Sequence, residues 1–225
     1  MQQLPPLRTL VKDNRWFFSA FVQFLLFGAV LLALMQTGDF VWFFNDRRSA
    51  WADFLFVYGT KLGEPIGFLI GAVGLLFLRV RHALALPLLG LTVSVVSYPL
   101  KQFFSHYRPL GYFRQLDLDE FLLFVEGVKV HSGPNGFPSG HTMAGFALFA
   151  FLALCTPRKK WGGFLFFALA LIVGLSRIYL TQHFFKDVYF GAAVGVVLAV
   201  CWYYLQALPD AKWLDWRLLP RKQLT

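Results

Sequence analysis

The chain has 225 residues, of which 57% are hydrophobic and only 15% are charged, and its formal net charge is +9. A soluble domain of this size would have difficulty burying so much apolar surface, so the composition favours a membrane protein. The basic residues are scattered between apolar runs, which argues against nucleic-acid binding. Cys155 and Cys201 are too few for a disulfide framework or a thiolate metal site.

Six apolar segments approach the roughly 20 residues that a helix needs to cross a bilayer. The first resembles a signal sequence but is long and lacks a small-residue cleavage pattern, so it is predicted to be a retained anchor. The chain is therefore predicted to be all-α, with one integral-membrane domain over residues 1–225 and a six-helix transmembrane bundle. The segments are Trp16–Met35, Pro65–Leu78, Ala83–Leu100, Thr142–Cys155, Trp161–Leu175 and Val188–Leu205.

The second segment is short and is expected to extend backwards towards Phe54, with a kink at Gly63 and Pro65. The residues before it fit an amphipathic helix on the outer leaflet as well as they fit a helix that continues into the span. This pattern consists of Trp51, Leu55, Tyr58 and Leu62.

Charge predicts the orientation, because an even number of spans places both termini and the second and fourth loops on one face. That face has twelve basic and three acidic residues, whereas the other has nine of each. By the positive-inside rule, both termini are cytoplasmic and the chain lies in the cytoplasmic (inner) membrane. The twelve basic residues are Arg8, Lys12, Arg15, Arg79, Arg81, Arg158, Lys159, Lys160, Lys212, Arg217, Arg221 and Lys222.

Three polar clusters are predicted to meet outside the membrane, at the ends of the third to sixth spans. Each is weak evidence alone, but their order and their common face make the combination specific. The clusters are Lys101 with Arg108 and Pro109, then Pro138, Ser139, Gly140 and His141, and finally Ser176, Arg177, His183 and Asp187.

This combination resembles the type 2 phosphatidic acid phosphatase superfamily. The signature of that superfamily is K-x6-RP, PSGH and SR-x5-H-x3-D, and residues 101–187 match all three parts without substitution. The resemblance implies a helical bundle, a phosphohistidine intermediate, and catalysis without a metal ion or other cofactor.

The residue types fit this chemistry. Lys101, Arg108 and Arg177 are expected to bind the phosphate oxygens, whose charge needs fixed donors. Ser139 and Gly140 precede the fourth span, where a hydroxyl and the unpaired N–H groups at a helix N-terminus suit a phosphate.

His183 and Asp187 are four residues apart, so on a helix the carboxylate is able to orient the imidazole as the nucleophile. His141 is expected to protonate the leaving oxygen and then to activate water. Single residues of this kind are commonly structural or snorkelling, but the two histidines, the carboxylate and the three cations together favour a phosphate-processing site.

The remaining polar loop residues are expected to be solvated, without a metal site, although Lys129 and Arg114 are candidates to engage a second phosphate. The residues expected to be solvated are His106, His131, Asp117, Asp119 and Glu120.

The predicted function is hydrolysis of a phosphate or diphosphate ester of a lipid at the extracytoplasmic face. Undecaprenyl diphosphate is favoured, but phosphatidylglycerol phosphate, phosphatidic acid and a lipid A phosphate also fit. The expected partners are this substrate and membrane lipids, with the oligomeric state left open. One alternative is a lipid phosphotransferase; another is a transporter or binding protein for phosphate or anionic lipid, which would not need the two histidines.

Overall fold

The computed structural model describes residues 4–157 and 159–218, and in these residues it is all-helical, as predicted. Two short 3-10 helices cover Asp119–Phe121 and Lys212–Asp215. The α-helices are α1 Leu7–Asp13, α2 Arg15–Leu34, α3 Asp39–Asn45, α4 Ala50–Lys61, α5 Pro65–Leu76, α6 Val80–Phe104, α7 Pro109–Arg114, α8 Gly140–Cys155, α9 Lys159–Tyr179 and α10 Phe185–Leu205.

Four segments are long and apolar enough to cross a membrane: α2, the stretch from Val80 to Arg114 that contains α6, and α9 and α10. The second and fourth predicted spans correspond to α5 and α8, which have only 12 and 16 residues. Both are shorter than the roughly 20 residues that span a bilayer. The prediction of a helical membrane protein is confirmed, while the count of six spans stays a prediction.

The second span does not extend back to Phe54. Instead, α4 ends at Lys61 and α5 begins at Pro65, so the segment is divided into two helices. Proline is suited to the first position of a helix because it lacks the N–H group that would be unpaired there. Residues Trp51 and Tyr58 of α4 are exposed, while the helix packs against α9.

The central helix is α8, which is buried along most of its length and packs against α5, α6, α9 and α10. Its approach to α10 is close, since a Cβ atom on Gly195 would lie 2.4 Å from the carbonyl oxygen of Met143. Only glycine fits such a contact without displacing the backbone. The Ser139 N–H also donates a 3.0 Å hydrogen bond to the carbonyl oxygen of Asp187, which fixes the starts of α8 and α10 side by side.

At the other end of the bundle, Arg81 holds the C-terminal 3-10 helix against the start of α6. Its guanidinium donates to both carboxylate oxygens of Asp215, at 2.8 and 3.0 Å, and to the carbonyl oxygen of Gln206 at 2.9 Å. Three residues from the charge count, Arg158, Arg221 and Lys222, lie outside the described residues.

Candidate active site

The turn between α9 and α10 places His183 at the centre of the polar cluster. The N–H groups of Gln182 and His183 both donate to the carbonyl oxygen of Arg177, at 2.9 and 3.0 Å. Thr181 adopts a positive φ of 57° within this turn. The chain therefore folds back tightly, and His183 is left only 1% exposed.

Asp187 orients the ring of His183 and also caps α10. Its Oδ2 atom lies 3.4 Å from His183 Nδ1 and accepts a 2.9 Å hydrogen bond from the N–H of Phe184. With Nδ1 facing the carboxylate, the Nε2 atom of His183 is the ring nitrogen available to a substrate. The predicted pairing of the two side chains is present, but the predicted placement of both on one helix is wrong, since His183 precedes α10.

The surroundings of His183 favour its neutral form. Burial lowers the pKa of His183 well below its ordinary value, and the nearby charges of Arg108, Arg177 and Lys101 lower it further. A neutral imidazole has a free lone pair, which a nucleophile requires.

Arg177 is held by a residue outside the three motifs. It is 7% exposed, and its Nη1 atom donates a 2.7 Å hydrogen bond to Thr60 Oγ1. Its Nε–H is buried and has no partner among the described residues. Because a buried donor without an acceptor is costly, this N–H group is well suited to an anionic oxygen of a ligand.

Arg108 is fixed by two further residues that sequence reasoning missed. Its Nε–H donates to Asn135 Oδ1 at 2.8 Å, and its Nη1 donates to Gln182 Oε1 at 3.3 Å. The amide of Gln182 in turn donates to the carbonyl oxygen of Lys129 at 2.8 Å. Gln182 thus joins the loop before α8 to the turn that carries His183.

The Ser139 hydroxyl, predicted to bind phosphate, caps α8. Its Oγ atom accepts hydrogen bonds from the N–H and the hydroxyl of Thr142, at 3.4 and 2.9 Å, and the residue is fully buried. Gly140 begins the helix, and a Cβ atom there would lie 3.9 Å from the Nζ atom of Lys101. The N-terminus of α8 and the lysine therefore face each other, as the predicted phosphate site requires.

His141 lies in the first turn of α8, beside a cavity of about 900 Å³. Lys101 and Glu64 line the same end of this cavity, and the rest of it is mainly apolar, between α5, α6 and α8. The Nε2 atom of His141 lies 3.7 Å from Glu64 Oε1. Sequence reasoning did not identify Glu64, because no motif spacing relates it to His141.

One of the loop residues expected to be solvated, Asp119, has a charged partner. Asp119 forms a 3.0 Å ion pair with Arg114. In residues 4–157 and 159–218, no group of three or more His, Cys, Asp or Glu side chains is placed to hold a metal ion.

Comparisons with known proteins identify the family of this chain. The family model described as the PAP2 superfamily matches residues 79–209. A lipid A 4'-phosphatase of Porphyromonas gingivalis is 30% identical over 114 residues, which are 51% of this chain and 46% of the relative. YbjG of Escherichia coli K12, provisionally named an undecaprenyl-diphosphatase, is 30% identical over 115 residues, with coverage of 48% and 50%. The chain thus spans about half the length of these curated relatives.

A solved structure has a similar fold. It is the crystal structure of a transmembrane PAP2-type phosphatidylglycerolphosphate phosphatase from Bacillus subtilis, with a TM-score of 0.61 and 23% identity. The match covers 84% of this chain and 98% of that one.

Proposed function

The chain belongs to the PAP2 superfamily, and we propose that it is a membrane phosphatase that hydrolyses a phosphate or diphosphate ester of a lipid. The observation that carries this proposal is the buried His183–Asp187 pair beside three cations. One of them, Arg177, presents a buried N–H without a partner among the described residues.

The proposed reaction has two steps. In the first, His183 Nε2 attacks phosphorus as the bond to the lipid oxygen breaks, and His141 donates a proton to that oxygen. In the second, His141 removes a proton from water while the water oxygen attacks the phosphohistidine. The N–P bond then breaks and inorganic phosphate is released, whereas the lipid alcohol or lipid monophosphate is the product of the first step.

Lys101, Arg108 and Arg177 stabilise the charge that spreads over the equatorial oxygens during both steps. Because Asn135, Gln182 and Thr60 already hold the two guanidinium groups, these donors need little rearrangement when the substrate arrives. In this proposal the lipid tail occupies the apolar part of the cavity next to His141.

For the substrate, we propose a lipid diphosphate, with undecaprenyl diphosphate tested first. Lys129 is the loop cation that suits a second phosphate, since its carbonyl oxygen is bound to Gln182 beside Arg108. Arg114, the other candidate, pairs with Asp119. The names of the relatives differ in substrate, so phosphatidylglycerol phosphate, phosphatidic acid and a lipid A phosphate belong in the same comparison.

Phosphate release by the purified protein tests the proposal. We expect turnover of lipid phosphates by the wild type and none by His183→Ala. A preference for undecaprenyl or farnesyl diphosphate over the matching monophosphate and over phosphatidic acid supports the diphosphate. Lys129→Ala should then weaken turnover of the diphosphate but not of the monophosphate, and Arg114→Ala is the matched control. A preference for a monophosphate would contradict the diphosphate substrate but not the phosphatase function.

A further inference from the structure

Glu64 is a carboxylate at the edge of the site that contains Lys101, Arg108 and Arg177. It is the N-cap residue of α5, yet its side chain makes no capping hydrogen bond. Instead, its Oε1 atom lies 3.7 Å from His141 Nε2. A carboxylate next to a phosphate site opposes anion binding by like-charge repulsion.

The turn between α4 and α5 fixes Glu64 in this place. A Cβ atom on Gly63 would lie 2.9 Å from the carbonyl oxygen of His141 and 2.7 Å from Val173 Cγ1, so the turn packs directly on the start of α8. Four residues before Glu64, the hydroxyl of Thr60 accepts the hydrogen bond from Arg177. The last turn of α4 and the turn that follows it therefore contact both a phosphate-binding cation and the acid–base histidine.

We propose that Glu64 is a positioning residue that holds the imidazole of His141 and stabilises its protonated form before it donates to the leaving oxygen. This inference rests on the phosphatase function proposed above. The proton passes from the ring nitrogen of His141 that faces the substrate to the lipid oxygen as the P–O bond breaks. In the second step the same nitrogen receives a proton from water.

The charges around His141 explain why such a carboxylate is needed. Burial lowers the pKa of His141, and the positive charges of Arg177 in α9, Lys101 in α6 and Arg108 before α7 lower it further. Nearby positive charges disfavour an imidazolium, and an adjacent carboxylate favours it. Glu64 supplies that carboxylate.

A competing role for Glu64 is recognition of a polar group of the substrate, since Glu64 and His141 line the same cavity. Recognition alone would alter KM, and would do so differently for different headgroups. Positioning of His141 alters kcat and its dependence on pH, whichever lipid is used.

The test compares kcat and KM across pH for the wild type, Glu64→Gln and Glu64→Asp, with Glu126→Gln as the control. Glu126 is an exposed carboxylate of the loop before α8. We expect Glu64→Gln to lower kcat roughly tenfold with little change in KM, a fraction of what general acid–base catalysis typically provides.

The alkaline limb of the Glu64→Gln profile should move down by roughly half to one pH unit, because the imidazolium has lost its neighbouring charge. Glu64→Asp should recover part of kcat, and Glu126→Gln should match the wild type. A Glu64→Gln enzyme with wild-type kcat and pH profile, or with a change in KM alone, overturns the inference. Failure of the wild type itself to release phosphate overturns the proposed function instead, and the inference with it.

Discussion

Thr60 and Arg177 are 117 residues apart in the chain, yet the guanidinium Nη1 of Arg177 donates a 2.7 Å hydrogen bond to the hydroxyl oxygen of Thr60. The contact connects the last turn of α4 to the last turn of α9. Both residues are buried, so no bulk water is at hand to replace the hydroxyl if it is removed.

Replacing Thr60 with Val keeps the shape of the side chain and removes the acceptor. A hydrogen bond to a charged group contributes about 1.5–3 kcal/mol, so we expect kcat/KM to fall roughly 10- to 100-fold. Thr9→Val, on the exposed surface of α1, is the matched control and should behave as the wild type. Unchanged phosphate release by Thr60→Val would mean that Arg177 does not depend on this contact.

The two histidines should differ in a phosphoenzyme assay, because in the proposed reaction only His183 receives the phosphoryl group. Rapid acid-free quenching with a labelled substrate should trap a phosphohistidine in the wild type and none in His183→Ala. His141→Ala should reduce turnover by roughly 100-fold to 10,000-fold, since it removes proton transfer. Label trapped in His183→Ala would refute the assignment of the nucleophile.

The pH dependence of stability should report the buried neutral His183. Burial and the neighbouring cations lower the pKa of His183 well below 6.5, whereas the unfolded chain titrates near 6.5. Below that pH the unfolded chain binds a proton that the folded protein does not, so stability falls as pH decreases.

Between about pH 7 and pH 5 we expect His183 to lower the stability in detergent with a slope that approaches about 1.4 kcal/mol per pH unit. Asp187 partly offsets this loss, because burial raises its pKa to about 7. His183→Asn lacks the titrating group and should lose less stability over the same range. Equal losses in both proteins would show that folding does not lower the pKa of His183.

The proposed orientation is tested with single cysteines in a background from which Cys155 and Cys201 are removed. Glu126→Cys lies in the loop before α8, and Lys160→Cys lies at the start of α9, both at exposed positions. On intact cells an impermeant thiol reagent should label the first and not the second. The reverse pattern would place the catalytic site in the cytoplasm.

Local rules explain why the sequence was sufficient for much of the fold. Long apolar runs predict α2, α6, α9 and α10 because an isolated helix in lipid must satisfy its own backbone. The break between α4 and α5 was predicted only as a kink, since Gly63 and Pro65 mark a discontinuity without giving its size. The sequence does not predict how far apart the two helices lie.

The sequence by itself also predicted the residues of the candidate active site. The pairing of His183 and Asp187 was predicted from one helical turn, but His183 lies in the turn before α10, so the 3.4 Å pair forms across the start of that helix. The family signature likewise depends only on the types and order of the residues, so it can be identified without the structure.

Only the tertiary structure decided which residues support that chemistry. Thr60, Glu64 and Asn135 reach the site from segments with no fixed spacing to the motifs, and Gln182 lies between two motif residues without belonging to the signature. Their contacts arise from the close packing of α8 against its neighbours, where each helix end is placed by many small contacts distributed over the bundle. No local sequence pattern predicts the combined effect of these contacts. The supporting residues were therefore identified only from the structure.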